Sequence, residues 1–287
     1  GESYTVYLVA NSQQTASIMA KDNWNASNCR GKNISNMLMD LVVAPAFSPN
    51  GNAEVGAKGY LEPAEIFLAI KMGVTITPDA NTDLRTNPFV LERAISLLRV
   101  RINQTKNGNN VVKFKQGNAS FRIRRASNNL KVDGTYTRGD AKSLIYAKGA
   151  FNDADPDSGY SAGSILDQTN GFTLWKDIKM FPGGSTATGS QKFDVVLIGE
   201  APAGYLPLGK NKGEELSVPA DVAWSGAVNE VVAANGILEI NLTLESAGKW
   251  VDDPDEPGIP EPGQYGQVSI SVNVAPWGTI KSLDIPL

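Results

Sequence analysis

Two stretches near the end of the chain decide its fold: ILEINLTLE at residues 237–245, and QVSISVNVA at residues 267–275, which runs into Pro276 and Trp277. In the first, Leu238, Ile240, Leu242 and Leu244 alternate with Glu239, Asn241, Thr243 and Glu245. In the second, Val268, Ile270, Val272 and Val274 alternate with Ser269, Ser271, Asn273 and Ala275. A period of two places every apolar residue on one face, so both runs read as strands with one buried and one wet side. Between them lies DDPDEPGIPEPGQYG (252–266), whose prolines remove backbone donors and suit neither a helix nor a central strand. Beyond Trp277, Leu283, Ile285 and Leu287 make one more short alternating run.

A length of 287 residues suggests two domains, because single cores stop growing near that size. With 41% hydrophobic and 20% charged residues the composition is that of a globular protein. A formal net charge of −4 argues against nucleic acid or an anionic membrane as the main partner. Arg122, Arg124 and Arg125 interleave with Phe121 and Ile123, which reads as the wet face of a strand rather than an anion site. The chain has no histidine and one cysteine, Cys29. That removes His-dependent general bases, Ser-His-Asp and Cys-His nucleophiles, His- or Cys-built zinc sites and internal disulfides. Carboxylate-only catalysis survives the filter, but no pair among the acids is distinguished by its spacing. No apolar run reaches the length of a membrane span, and no signal peptide is recognisable.

The remaining pattern is strand-rich. TVYLVA (5–10), LLRVRI (97–102), VVKFK (111–115), FRIR (121–124), FTLW (172–175) and FDVVLI (193–198) are short, β-branched or aromatic, and bounded by Gly, Asn, Pro and Asp. Asn107-Gly108 signals a hairpin. Such runs without long helical patterns argue for β-sandwiches. SNMLMDLVVA (35–44) is expected to be a short helix, with Met37, Leu38, Leu41 and Val42 on one stripe and Ser35 as N-cap. AEIFLAIKMG (64–73) fits a helix or a strand equally. The polar, turn-rich SNNLKVDGTYTRGD (127–140) is the expected domain boundary, giving domains 1–136 and 137–287.

No cofactor is expected, because no Gly-rich phosphate loop and no metal motif is present. Asp153, Asp155 and Asp157 have the alternate spacing that opens a calcium loop, but Ser158 and Ser164 stand where Gly and Glu belong. They read as an acidic solvated loop. Trp24, Trp175, Trp224, Trp250 and Trp277 offer either core packing or a sugar-stacking platform.

Three segments in order resemble the fimbrillins, the subunits of type V pili of oral and gut Gram-negative anaerobes. TVYLVAN (5–11) looks like their early strand. LERAISLLRVRI (91–102) is similar to their midpoint: a Leu, an Arg two positions later, a small residue, then an alternating strand. NGILEINLTLESAGK (235–249) with VSISVNVAPW (268–277) resembles their C-terminal strand pair closed by tryptophan. The resemblance implies an all-β fold of two tandem transthyretin-like (Greek-key) β-sandwich domains, here with one or two short helices. It implies export as a lipoprotein precursor, display on the cell surface at the outer membrane, and loss of an early strand to an Arg-directed protease. The exposed groove then accepts a strand from a neighbouring subunit. Cys29 does not match the family's lipid-accepting cysteine, and no Arg precedes the first strand.

The expected function is therefore a structural and adhesive pilus subunit, not an enzyme. Its partners are other pilus subunits and surface receptors, and a membrane is reached only through the lipidated precursor. Leu283, Ile285 and Leu287 are the expected inward residues of a donated strand; Val268, Ile270, Val272 and Val274 lie in the sheet leading into it, and Trp277 closes the pair. Alternatively, 279–287 completes its own domain as an edge strand. The competing function is a surface glycan-binding β-sandwich that does not polymerise.

Overall fold

The structure, a computed structural model, describes residues 1–11, 30–34, 37–43, 58–80, 85, 87–103, 111–113, 121–137, 143–146, 152–153, 174–183, 193–265 and 268–277. In the first half the strands are β1 (Glu2–Ala10), β2 (Leu38–Asp40), β3 (Lys58–Tyr60), β4 (Phe67–Ile76), β5 (Glu92–Arg93), β6 (Ser96–Asn103), β7 (Phe121–Arg124), β8 (Asn129–Lys131) and β9 (Tyr136–Thr137). They continue with β10 (Ser143–Tyr146), β11 (Asn152–Asp153), β12 (Leu174–Met180), β13 (Phe193–Ala201), β14 (Ala220–Val228), β15 (Gly236–Leu244), β16 (Lys249–Trp250) and β17 (Val268–Pro276). No α-helix occurs among the described residues. The fold is all-β.

A six-stranded sheet has the order β16-β14-β13-β7-β10-β3, and a five-stranded sheet the order β11-β12-β6-β15-β17. Two small sheets, β1-β4-β5 and β2-β8-β9, accompany them. Phe121, Ile123, Phe193, Val195, Leu197 and Trp224 of the first large sheet join Leu98, Val100, Ile102, Ile178, Leu238, Ile240 and Leu242 of the second in one buried cluster. Each such aliphatic side chain contributes about 1.5–3 kcal/mol by leaving water. Strand β6 lies between β12 and β15, and β7 between β13 and β10. Both large sheets thus combine strands from either side of residue 136. LLRVRI, from before that position, forms the centre of the sheet that carries the C-terminal pair.

The C-terminal alternation is realised as β15 and β17, antiparallel through nine residue pairs from Gly236↔Pro276 to Leu244↔Val268. Its expected wet side is not wet on β15: Glu239 and Asn241 are only 2% and 7% exposed. Register places Arg99 opposite both Asp177 and Glu239. Its guanidinium donates to Asp177 Oδ1 at 3.0 Å and to Glu239 Oε1 at 3.1 Å, an ion triad across three strands.

The expected wet arginines are also buried, Arg122 at 2% and Arg124 at 7% exposed. The Pro-rich segment following β16 covers this side of the sheet. Ile259 packs on Val196, Ile198, Ala223 and Val251. Ser225 Oγ donates to the Pro260 carbonyl at 2.7 Å, and Arg124 Nη1 to Glu261 Oε1 at 3.1 Å. Arg125 bonds Asp194 and Glu261. Lys249 Nζ donates to the carbonyls of Glu256 and, at 2.9 Å, Gly258. Prolines keep this segment from pairing as a strand, so side chains and single carbonyls tie it down instead.

The short helix expected at 35–44 is overturned. Leu38–Asp40 is strand β2, paired antiparallel with β8 through Met39↔Leu130, and both of these side chains are buried. A partner some ninety positions downstream overrides a helical stripe only ten residues long. The segment that fits helix or strand is strand β4, paired along β1. Gly73 there takes φ +72°, a conformation open to glycine, next to the register shift between Tyr4 and Val6. Asn107-Gly108 and Cys29 lie outside the described residues.

Candidate assembly surface

Strand β17 is the last strand of its sheet, and no described strand pairs with its other side. Val268 and Ile270 pack against the main core. They sit over Gly226 of β14, where an added Cβ would lie 2.5 Å from Ile270 Cδ1 and 2.7 Å from Val268 Cγ1. The absence of a side chain at Gly226 lets the two large sheets approach there. Val272 and Val274 stand opposite Ile240 and Leu238 in the ladder. Leu283, Ile285 and Leu287 lie outside the described residues.

Trp277 ends the pair and is clasped. Its N–H donates to the Asn235 carbonyl at 2.9 Å, and Asn235, at φ +56°, turns the chain into β15. The Arg93 guanidinium stacks 4.2 Å from the indole centroid and donates to the Trp277 carbonyl at 2.9 Å and to Asn235 Oδ1 at 3.0 Å. Arg93 is the arginine of the LERA segment, so that motif holds the point where the chain leaves its last described strand. The sequence reading assigned Arg93 no role; an arginine three residues before the start of the buried strand β6 was the available signal.

The same arginine lines a cleft of about 490 Å³ that the sequence did not announce. One wall is β4 from Leu68 to Lys71, the other the extended stretch Asn87–Val90. Ala94 N–H donates to the Ile66 carbonyl at 2.8 Å, and Phe67 and Leu68 stand opposite Arg93 and Glu92. Alternate residues Ile66, Leu68 and Ile70, before the bulge at Gly73, therefore turn their backbone groups toward this edge. Strand β5 covers it only as far as Leu68, and no described strand pairs there with Ile70 or Met72. Apolar side chains crowd the opening: Ile70 is 46% exposed, Met72 80% and Val90 71%. Lys71 Nζ lies 5.0 Å from the Phe89 ring centroid, at the rim.

The other candidates resolve differently. Asp153 is in β11, opposite Leu174, while Asp155 and Asp157 lie outside the described residues. Among the described residues no three His, Cys, Asp or Glu side chains converge as a metal site would require. Asp253 is buried, and burial pushes its carboxyl up. Hydrogen bonds from Asn211, Asp255 and Glu256 outweigh this and hold it below the ordinary value, so protein donors supply what an ion would. Trp224 is buried and donates Nε1 to the Ser246 carbonyl at 2.9 Å, which excludes it from a sugar platform.

No family model and no curated protein matches the chain. Solved structures do. One, a proposed cell adhesion protein from Bacteroides eggerthii, is 10% identical; the match covers 95% of this chain and 78% of that one, with a TM-score of 0.49. Another proposed cell adhesion protein, from Parabacteroides distasonis, is 10% identical over 76% of this chain and 66% of its own, at TM-score 0.41. A fimbrilin from Porphyromonas gingivalis is 15% identical over 76% and 71%, at TM-score 0.33. At these identities and TM-scores the likenesses establish neither family nor activity.

Proposed function

We propose that this chain is a non-enzymatic structural and adhesive subunit of a cell-surface pilus, assembled by β-strand donation between subunits. The observation that carries the reading is the Trp277 clasp. An antiparallel pair ends at a residue fixed by Arg93 and Asn235, and the segment beyond it keeps strand alternation through Leu283, Ile285 and Leu287. Fixing the exit while leaving an apolar strand to follow suits a segment offered to a neighbour. Partners in this reading are further copies or other pilus subunits, with surface receptors reached by the assembled fibre. Attachment to the outer membrane through a lipidated precursor, and loss of an early strand to an Arg-directed protease, belong to the same reading. Strand β1 is the described strand whose loss would bare one edge of β4.

Deleting residues 279–287 tests it. Loss of polymers by electron microscopy, with the monomer still folded, is the expected outcome; unchanged polymers would end the reading.

A further inference from the structure

Arg93 bears on two aromatic rings. Its guanidinium carbon lies 4.2 Å from the Trp277 ring centroid and 5.7 Å from that of Phe67. Phe67, the first residue of β4, stands opposite Arg93 on one side and Ala10, the last residue of β1, on the other. We propose that β1 is a latch on the Trp277 exit. While β1 is paired with β4, Phe67 helps to hold the guanidinium on Trp277; when β1 detaches, that grip loosens. The coupling stands on these contacts alone. Its use, timing release of the C-terminal segment to the loss of β1, rests on the strand-donation reading.

The pairing of β4 explains why β1 governs Phe67. Strand β4 makes eight residue pairs with β1 and two with β5. The alternation that turns Ile66, Leu68 and Ile70 toward β5 turns Phe67, Ala69 and Lys71 toward β1. Detaching β1 therefore takes away the partner of the Phe67 N–H and carbonyl. What remains is a two-stranded remnant of two pairs, too little to hold a sheet in water. Glu65, whose carboxylate lies 3.7 Å from Arg93 Nη2, is two residues before Phe67 and depends on the same pairing.

Arg93 itself is anchored elsewhere. Its neighbours Ala94 and Ile95 are buried, and the Ile95 carbonyl accepts from the Asn235 N–H at 2.9 Å. The guanidinium thus keeps its base and its bonds to Asn235 and Trp277, and loses the Phe67 ring and the Glu65 carboxylate. The grip is weakened rather than abolished, which sets a modest effect. Coupling of this kind is reciprocal, so loosening Trp277 must also loosen β1.

Hydrogen exchange on the full chain tests the latch, with the Trp277 amide, bonded to the Asn235 carbonyl, as reporter. Leu8→Pro removes an N–H on the side of β1 that faces Ala69, at an exposed side chain. Faster exchange at Phe67 and Ala69 shows that β1 has detached. Trp277 exchange should then rise about five-fold, with the central amides of Phe193 and Leu242 unchanged. Phe67→Leu, which leaves β1 in place, should raise it about three-fold. In an Arg93→Met background Leu8→Pro should add nothing at Trp277. Trp277→Ala should in turn speed exchange at Phe67 and Ala69. Trp277 exchange at the parent rate after β1 has detached, or a rise matched at Phe193 and Leu242, would overturn the latch. The two readings fail separately: that result leaves strand donation standing. Polymers that survive deletion of 279–287 end donation and the latch's use, while the exchange coupling would persist.

Discussion

Arg93 grips Trp277 in two ways at once: its guanidinium lies 4.2 Å from the indole centroid and donates a 2.9 Å hydrogen bond to the Trp277 carbonyl. One side chain thus joins the end of β17 to β5, 184 positions earlier in sequence. Removing it should loosen the C-terminal pair at its exit. Arg93→Ala is expected to cost about 2–3 kcal/mol in guanidinium unfolding, the sum of a cation–π contact and two hydrogen bonds. Arg93→Lys should recover less than half, because a point charge cannot stack and fork together.

In the Asp177–Arg99–Glu239 triad, on the side of its sheet away from the main core, Arg99 and Glu239 are buried and Asp177 is half-buried. Arg99→Met alone leaves two carboxylates without their shared cation, and should destabilise by about 3–5 kcal/mol. Arg99→Met with Glu239→Leu should recover part of that loss. Equal loss in the single and double variants would show that the triad is not a coupled unit.

These two features mark the limit of what the sequence shows. The alternation of Leu238, Ile240, Leu242 and Leu244 identifies β15, because which side faces the core is a local property. Whether the other side meets water is not local. Glu239 is covered through Arg99, and Arg124 is met by Glu261, 137 positions downstream. The stripe Met37, Leu38, Leu41 and Val42 was too short to separate two periods, and pairing with β8 decided for strand. The cleft beside Ile70 exists because β5 leaves β4 after Leu68, an event with no residue signature. Trp277 was legible as the end of the pair; its partner Arg93 was legible only as part of a motif.

Gly226 should tolerate no larger side chain. A Cβ there meets the ends of Ile270 and Val268, which can yield only by leaving their packing. Gly226→Val is expected to cost about 1–3 kcal/mol, measured by thermal or denaturant unfolding. Gly226→Val with Ile270→Ala should recover part of it, since the clash is with that side chain's end. A Gly226→Val chain as stable as the parent would contradict the close approach.

Asp253 and Tyr205 set opposite pH limits. Asp253 has a folded-state value below the ordinary 3.8, so its contribution is present above about 4 and is lost as pH falls through the lower folded value. Burial raises the Tyr205 hydroxyl to about 12, and this group donates to the Ala247 carbonyl at 2.9 Å. Its contribution is complete below about 10 and declines as pH rises toward 12. Asp253→Asn should flatten the acid limb of the stability–pH curve, and Tyr205→Phe the alkaline limb. Lys249, lowered by burial, acts against the Tyr205 trend: the cost of burying its charge is relieved as pH rises.

Strand donation is tested most directly by adding a synthetic peptide of residues 279–287 to the intact chain during polymer growth. The peptide offers the donated strand without the body that would continue the fibre. Polymers that shorten progressively with peptide concentration, and a truncated chain lacking 279–287 that binds the peptide but stays monomeric, are the predicted results. Polymers of unchanged length at saturating peptide, with no binding to the truncated chain, would contradict the account.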